Sequence, residues 1–327
     1  MNRLPRFALA HLPTPIEPLP RLSEALGIRL LIKRDDQTGL AFGGNKTRKL
    51  ELLLADALAQ GADTVLTTGA AQSNHCRQTA AAAAKAGLAC RLVLMEPKRA
   101  SGNLLLDALL GADIVWTTRE RRDADLQRAF KETASQGHKP YLIPYGGSNP
   151  LGAAAYAYAL EELLTQGQPP ETIVFATSSG GTQAGLVAGA RILGFRGRIV
   201  GISVDEPADI LRPRVAELAS QTSALLGEPS IFHENDILVE DAYAAPGYGV
   251  LTAAETDAIL RFARTEGLLL DPVYTGRAAA GLLDLAQQGF FHEGETVLFW
   301  HTGGTPGLFA HDYAVPLAQT AGLDLAE

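Results

Sequence analysis

The sequence predicts an α/β protein of two domains, with parallel sheets covered by helices on both faces. Three observations carry this. Apolar runs of strand length alternate with runs of helical period from end to end of the chain. At 327 residues the chain is long enough for two domains and a large core. Glycine, with 33 residues, gathers in polar loops, most of which follow strand-like runs, where ligands of parallel sheets collect.

The start, MNRLPRFALAHLPTPIEPLPRL, is broken repeatedly by proline and has no uninterrupted apolar stretch. It reads as an extended arm on a domain surface, not as a signal peptide. Residues 22–26 read as a short helix and 28–33 as a strand, ended by Arg34-Asp35-Asp36. A glycine-bearing loop then leads to Gly43-Gly44-Asn45-Lys46-Thr47-Arg48-Lys49-Leu50-Glu51. Asn45 is a good N-cap, so a helix starts beside it. Within 47–60, Leu50, Leu53, Leu54, Ala57 and Leu58 fall on one helical face, and Gly61 stops the run.

Strands follow at 64–67, 91–95, 113–116 and 140–143, separated by helices at 75–86, 102–110 and 123–136. Further helices at 151–165, 183–193, 208–226, 252–266 and 275–288 come with strands at 172–176, 198–204 and 296–300. No repeat or low-complexity segment interrupts them.

The net charge is −8, from 28 basic and 36 acidic residues spread along the chain. No basic patch with interleaved aromatics marks a nucleic-acid partner. No apolar run is long enough to cross a membrane. The two cysteines, Cys76 and Cys90, suit a reducing compartment better than a disulfide framework. Cys76 beside His75 has no second ligand pair at zinc spacing, so no metal is expected. The expectation is a soluble cytoplasmic protein.

The candidate chemistry sits in the glycine loops. Lys46 falls in the first turn of its helix, where the positive end of the helix dipole disfavours a cation and lowers a lysine pKa. It reads either as a solvated lysine or as a neutral amine suited to attack a carbonyl and form a Schiff base. A nucleotide P-loop fails by one residue, because Asn45 intervenes between Gly44 and Lys46. Ser178-Ser179-Gly180-Gly181-Thr182 is either a tight strand-to-helix turn or an anion cradle of bare N–H groups and hydroxyls. Gln72-Ser73-Asn74-His75 is either a helix cap or a ligand-facing loop. His301-Thr302-Gly303-Gly304 has the same two readings. Tyr274, in Asp271-Pro-Val-Tyr274-Thr275-Gly276, and Tyr248 are either buried aromatics or catalytic phenols. A lysine near a helix start, an anion cradle and a polar loop at a third strand end together suit pyridoxal 5′-phosphate.

At IKRDD, GGNKTRKLE, QSNH, SSGGTQAG, DPVYTG and HTGG the chain resembles the fold-type II (tryptophan synthase β-like) pyridoxal-phosphate enzymes, in the branch of D-cysteine desulfhydrase and 1-aminocyclopropane-1-carboxylate (ACC) deaminase. The likeness runs from Pro13 to Gly304. It implies that Lys46 carries the Schiff base, that Asn74 meets the ring 3-oxygen, that Ser179, Gly180, Gly181 and Thr182 hold the phosphate, and that Thr302 faces the ring nitrogen. Asn45 joins the cofactor-binding set. Ser73, Asn74, His75, Tyr248 and Tyr274 are expected at the substrate, with Ser73, Tyr248 and Tyr274 joining Lys46 in catalysis. Where ACC deaminases have glutamate, leucine and usually glutamine, this chain has Thr275, Thr302 and His75, which favours the desulfhydrase pattern. The segment 96–103 is shorter than in many bacterial relatives and could reshape one wall of the pocket.

The implied reaction is β-elimination of D-cysteine to pyruvate, sulfide and ammonia, with Lys46 removing the α-proton. The alternatives are ACC deamination, a cysteate sulfo-lyase, and a pyridoxal-phosphate-binding protein without catalysis. The expected small domain spans 48–149, and the large one 1–47 with 150–327. The family implies a homodimer.

Overall fold

A computed structural model describes residues 1–97 and 99–323. Two sheets organise it. The first has six strands, in the order β1 (Ile16–Pro18), β2 (Arg29–Arg34), β10 (Thr296–His301), β7 (Thr172–Thr177), β8 (Arg198–Ser203) and β9 (Leu238–Glu240). The second has four, in the order β5 (Asp113–Thr117), β4 (Ala89–Met95), β3 (Thr64–Gly69) and β6 (Pro140–Leu142). All pairs are parallel except the edge pair of β1 with β2. The expected all-parallel sheets are thus corrected at one edge: three residues of the proline-rich arm turn back along β2.

Helices connect the strands: α1 (Pro20–Leu26), α2 (Asn45–Ala59), α3 (Asn74–Ala86), α4 (Asn103–Leu109), α5 (Arg122–Ser135), α6 (Pro150–Thr165), α7 (Gly181–Leu193), α8 (Ala208–Leu225), α9 (Ala253–Glu266), α10 (Thr275–Gln287) and α11 (His311–Thr320).

The six-stranded sheet is buried on both faces, which is why its strands read as unbroken apolar runs. On β10, Val297 and Phe299 enter one core with residues of α1, α9, α10 and α11, while Leu298 and Trp300 enter the other with residues of α6, α7 and α8. In the smaller sheet Leu50, Leu53, Leu54 and Ala57 of α2 pack with Val65, Leu92 and Leu94. Leu58, expected on the same face, is 37% exposed at the end of that stripe.

Four of the charged motif residues, Lys33, Asp35, Arg48 and Glu51, serve the scaffold. Asp35 is fully buried and accepts from Arg48 Nη2 at 2.8 Å and from the Tyr156 hydroxyl at 2.6 Å. Arg48 also donates to Glu162 at 2.9 Å, and Lys33 reaches the same carboxylate at 2.6 Å. This buried network fastens β2, α2 and α6 together. Each charge has partners of opposite sign, without which burial would cost several kcal/mol. Glu51 accepts from the backbone N–H groups of Leu9 and Ala10, both at 2.9 Å, and pins the N-terminal arm.

Candidate active site

Three neighbouring strands of the large sheet, β2, β10 and β7, run parallel and end on the same side. The loop after β2 leads into Lys46, the loop after β10 supplies Thr302 and Gly303, and the loop after β7 supplies Ser178, Ser179, Gly180 and Thr182. From the small sheet, β3 leads to Ser73, Asn74 and His75, and its neighbour β6 to Tyr145 and Gly146. All of these, with Asn45, Ala176, Thr177 and Tyr274, line one cleft. The site therefore lies where the C-terminal ends of both sheets converge, as expected for parallel sheets.

Lys46 is the second residue of α2, and it remains only partly exposed, toward the cleft. Burial lowers its amine to about 8. The first-turn position, where the helix dipole is positive, acts in the same sense. Asn45 does not cap this helix. Gly44 is the N-cap, at a φ of 125°, and the Asn45 amide instead reaches Thr182 Oγ1 at 3.2 Å. Gly44 is required here on two counts. Its φ suits glycine, and a Cβ would lie 2.4 Å from Gln78 Nε2.

Lys49, one turn on from Lys46, is 1% exposed. Its amine donates to Gly146 O at 3.2 Å and Ser148 Oγ at 3.3 Å, and no carboxylate pairs with it among the described residues. Burial, and then the like charge of Lys46, push its pKa well down. Ser148 Oγ lies 2.8 Å from Ser179 Oγ and accepts from Gly181 N at 3.2 Å. A Cβ on Gly181 would lie 2.9 Å from the Lys49 amine, so the backbone approaches because nothing larger fits. The N-terminus of α7, three hydroxyls at Ser148, Ser179 and Thr182, and a buried lysine amine with no carboxylate partner among the described residues form a site suited to an anion.

Ser73 caps α3 through Cys76 N at 3.2 Å and still lines the cleft. Asn74 is 9% exposed. His75 lies 2.9 Å from Thr67 Oγ1 through Nε2, and burial keeps its imidazole well below the usual range, hence neutral. The Tyr274 hydroxyl lies 2.7 Å from that of Tyr248. Burial raises both phenols well above 10, so both stay protonated near neutral pH. Tyr248 itself stands behind Tyr274 and lines an adjoining cavity with Arg99 and His311. Asp271 accepts from the N–H groups of Val273, Tyr274 and Thr275 at 3.0, 2.9 and 2.7 Å, which fixes the turn that presents Tyr274.

Of the three positions that distinguish the branches, His75 and Thr302 line the cleft. Thr275 does not: it is buried against Asp271, 2.8 Å from its carboxylate. The segment 96–103 includes residue 98, which lies outside the described residues; Glu96, Pro97, Arg99 and Ser101 line the adjoining cavity with Tyr248 and not the cleft itself. Sequence reasoning missed Lys49, Tyr145, Gly146, Ser148 and Thr177. Tyr145-Gly146-Gly147-Ser148 did carry a signal, being one more glycine loop at a strand end. Among the described residues no group of three or more acidic, histidine or cysteine side chains is placed to hold a metal ion.

Comparison with known proteins agrees with this geometry. Residues 7–303 match the family model described as pyridoxal-phosphate dependent enzyme. A D-cysteine desulfhydrase of Salmonella typhi is 44% identical over 322 residues, covering 95% of this chain and 97% of the relative. A crystal structure described as an ACC deaminase homologue superposes with a TM-score of 0.89 at 40% identity, covering 97% of this chain and 96% of that one. Maize serine racemase, at 18% identity and a TM-score of 0.68 over 95% of this chain and 92% of its own, shares the fold.

Proposed function

The chain belongs to the pyridoxal-phosphate-dependent enzyme family, and from that premise we propose that it eliminates sulfide from D-cysteine, giving pyruvate, sulfide and ammonia. The residues present fit the cofactor. Lys49 is a buried amine lacking a carboxylate, next to hydroxyls and bare N–H groups, and a phosphate supplies the negative charge that would hold it protonated. Lys46 offers the amine for the aldehyde, Asn74 an amide for the ring 3-oxygen, and Thr302, 7% exposed and lining the cleft, a hydroxyl for the ring nitrogen.

When bound, pyridoxal phosphate supplies an aldehyde that captures the substrate amine and a conjugated ring that withdraws electrons from the α-carbon. Lys46 then holds and moves the α-proton. At about 8, its amine is neutral in roughly a tenth of molecules at pH 7, against well under a thousandth for an ordinary lysine. Ser73 binds the substrate carboxylate from the cap of α3. Tyr274, kept protonated and paired with Tyr248, donates a hydrogen bond to the departing hydrosulfide. A neutral threonine at the ring nitrogen gives a weaker electron sink than a carboxylate, which suffices for a good leaving group. One water enters overall, and sulfide, pyruvate and ammonia leave.

The observation that carries this reading is the Lys46 amine, lowered to about 8 in a cleft that Tyr274, Ser73 and an anion site also line. The relatives at 44% identity support the choice of substrate. The domain division proposed is 48–149 against 1–47 with 150–327; the four-stranded sheet falls wholly within the first of these. We also infer a homodimer in the cytoplasm, which two free, buried cysteines suit.

The test offers D-cysteine, L-cysteine, cysteate and ACC to the purified holoenzyme and measures pyruvate, sulfide and 2-oxobutyrate. Equal amounts of sulfide and pyruvate from D-cysteine are expected. Dominant 2-oxobutyrate from ACC would reassign the branch.

A further inference from the structure

Asn74 makes its hydrogen bonds on one side only. Its Oδ1 accepts from Arg77 Nη1 at 3.0 Å and from Asn103 Nδ2 at 2.9 Å. A guanidinium has no acceptor, so the atom facing Arg77 must be the amide oxygen. Both lone pairs of that oxygen are thereby used. The Asn74 amino group donates to nothing among the described residues, although the side chain is nine-tenths buried and lines the cleft. Its two N–H bonds are left for a ligand, and that ligand must accept.

Arg77 and Asn103 are held as firmly as the group they hold. Both are fully buried. Arg77 donates to Asn103 Oδ1 at 2.8 Å and, through Nη2, to Gly43 O at 2.8 Å. Gly43 stands at the entrance to α2, so one guanidinium ties the Asn74 amide to the backbone that carries Lys46. Asn103, at the start of α4, is fixed by Gln72, whose side-chain oxygen accepts from Asn103 N at 2.9 Å and whose backbone oxygen accepts from Nδ2 at 2.8 Å. Asp107, one turn along α4, is buried with neither oxygen hydrogen-bonded, and burial raises its carboxyl to about 7 despite the nearby Arg77 guanidinium.

We infer that Arg77 and Asn103 are positioning residues that lock the Asn74 amide with its donors toward the cofactor's 3-oxygen, so that the site favours the deprotonated, phenolate form. The inference rests on the reading of this cleft as the pyridoxal-phosphate site. Neither residue touches the cofactor. Each acts by removing the alternative orientation, in which the amide oxygen would face the phenolate and repel it.

The test uses Arg77→Lys, which keeps the charge and loses the fork, and Asn103→Asp, which keeps the shape and cannot donate to Asn74. Asn74→Asp is the reference, since it places an oxygen where the amino group stood. Apoprotein is titrated with pyridoxal phosphate, and the absorption of the bound cofactor is followed against pH without substrate. Each variant is expected to bind the cofactor about 10- to 100-fold more weakly, the loss of roughly one hydrogen bond to a charged group. The visible band of the phenolate should give way to the near-ultraviolet band of the protonated 3-hydroxyl at a higher pH than in the wild type, with Asn74→Asp showing the largest change.

If Arg77→Lys does not fold, Asn103→Asp decides alone. Folded variants with wild-type affinity and an unchanged spectral pH profile would overturn the inference and leave both residues as supports of the Gly43 loop. D-cysteine turnover by the wild type is scored separately, so a wrong substrate assignment leaves this result standing. A wild type that binds no pyridoxal phosphate would end both.

Discussion

At Lys46 the chemistry depends on a protonation state, and the cause of that state is burial more than helix polarity. The pKa of about 8 implies that the free amine, the form that captures an aldehyde, grows as pH rises toward that value. Reconstitution of apoprotein with pyridoxal phosphate, followed by absorbance, should slow about tenfold per unit as pH falls below 8 and level off above it. A rate flat between pH 6 and 9 would mean an amine already neutral, and one still rising tenfold per unit at pH 9 would mean an ordinary lysine. Lys46→Ala should abolish turnover. Lys49→Met should weaken cofactor binding about 10- to 100-fold, because a buried charge-assisted hydrogen bond to phosphate is lost. Lys46 was legible in the sequence because it follows Gly43-Gly44 in a recognisable motif. Lys49 was not, since nothing in its spacing says that its amine turns under Gly146 and Gly181 instead of into water. The helix start at Asn45 was legible, but Gly44 and not Asn45 is the cap, and the Asn45 amide's partner is Thr182, 137 positions away.

Most helices and strands were legible at the scale of elements, because apolar period and glycine stops are local. The misses have physical reasons. Strands β1 and β9 have three residues each, too few to show a period. Helix α11 contains Pro316, which argues against a helix when read locally. The packing of α6 on α7 was also invisible. Gly185 and Gly189 let the two backbones touch, and a Cβ at Gly185 would meet Ala153 O at 2.0 Å. Gly185→Ala should therefore destabilise the fold by about 2–3 kcal/mol, through overpacking that no rotamer change can relieve. Thermal unfolding of the holoenzyme reads this directly, and an unchanged midpoint would show that the helices can separate at little cost. The same contact matters to the site, because α7 begins at the anion cradle.

For the whole molecule, the alternation of strand and helix gave the architecture, but not the way two sheets aim their ends at one cleft. That convergence joins residues 45–49, 73–75, 145–148, 178–182, 274 and 302 from six separate loops. The buried Asp35–Arg48–Glu162 network holds it rigid on the side of the large sheet. Glycine loops at strand ends were the usable signal, and the loop at 145–148 was the one left unassigned. We propose that this convergence places one lysine, Lys46, at the cofactor. The direct measurement is borohydride reduction of the purified holoenzyme, followed by peptide mapping by mass spectrometry. A single pyridoxyl adduct is expected on Lys46, absent after Lys46→Ala. An adduct on Lys49 or elsewhere, or a protein with no adduct at all, would contradict it.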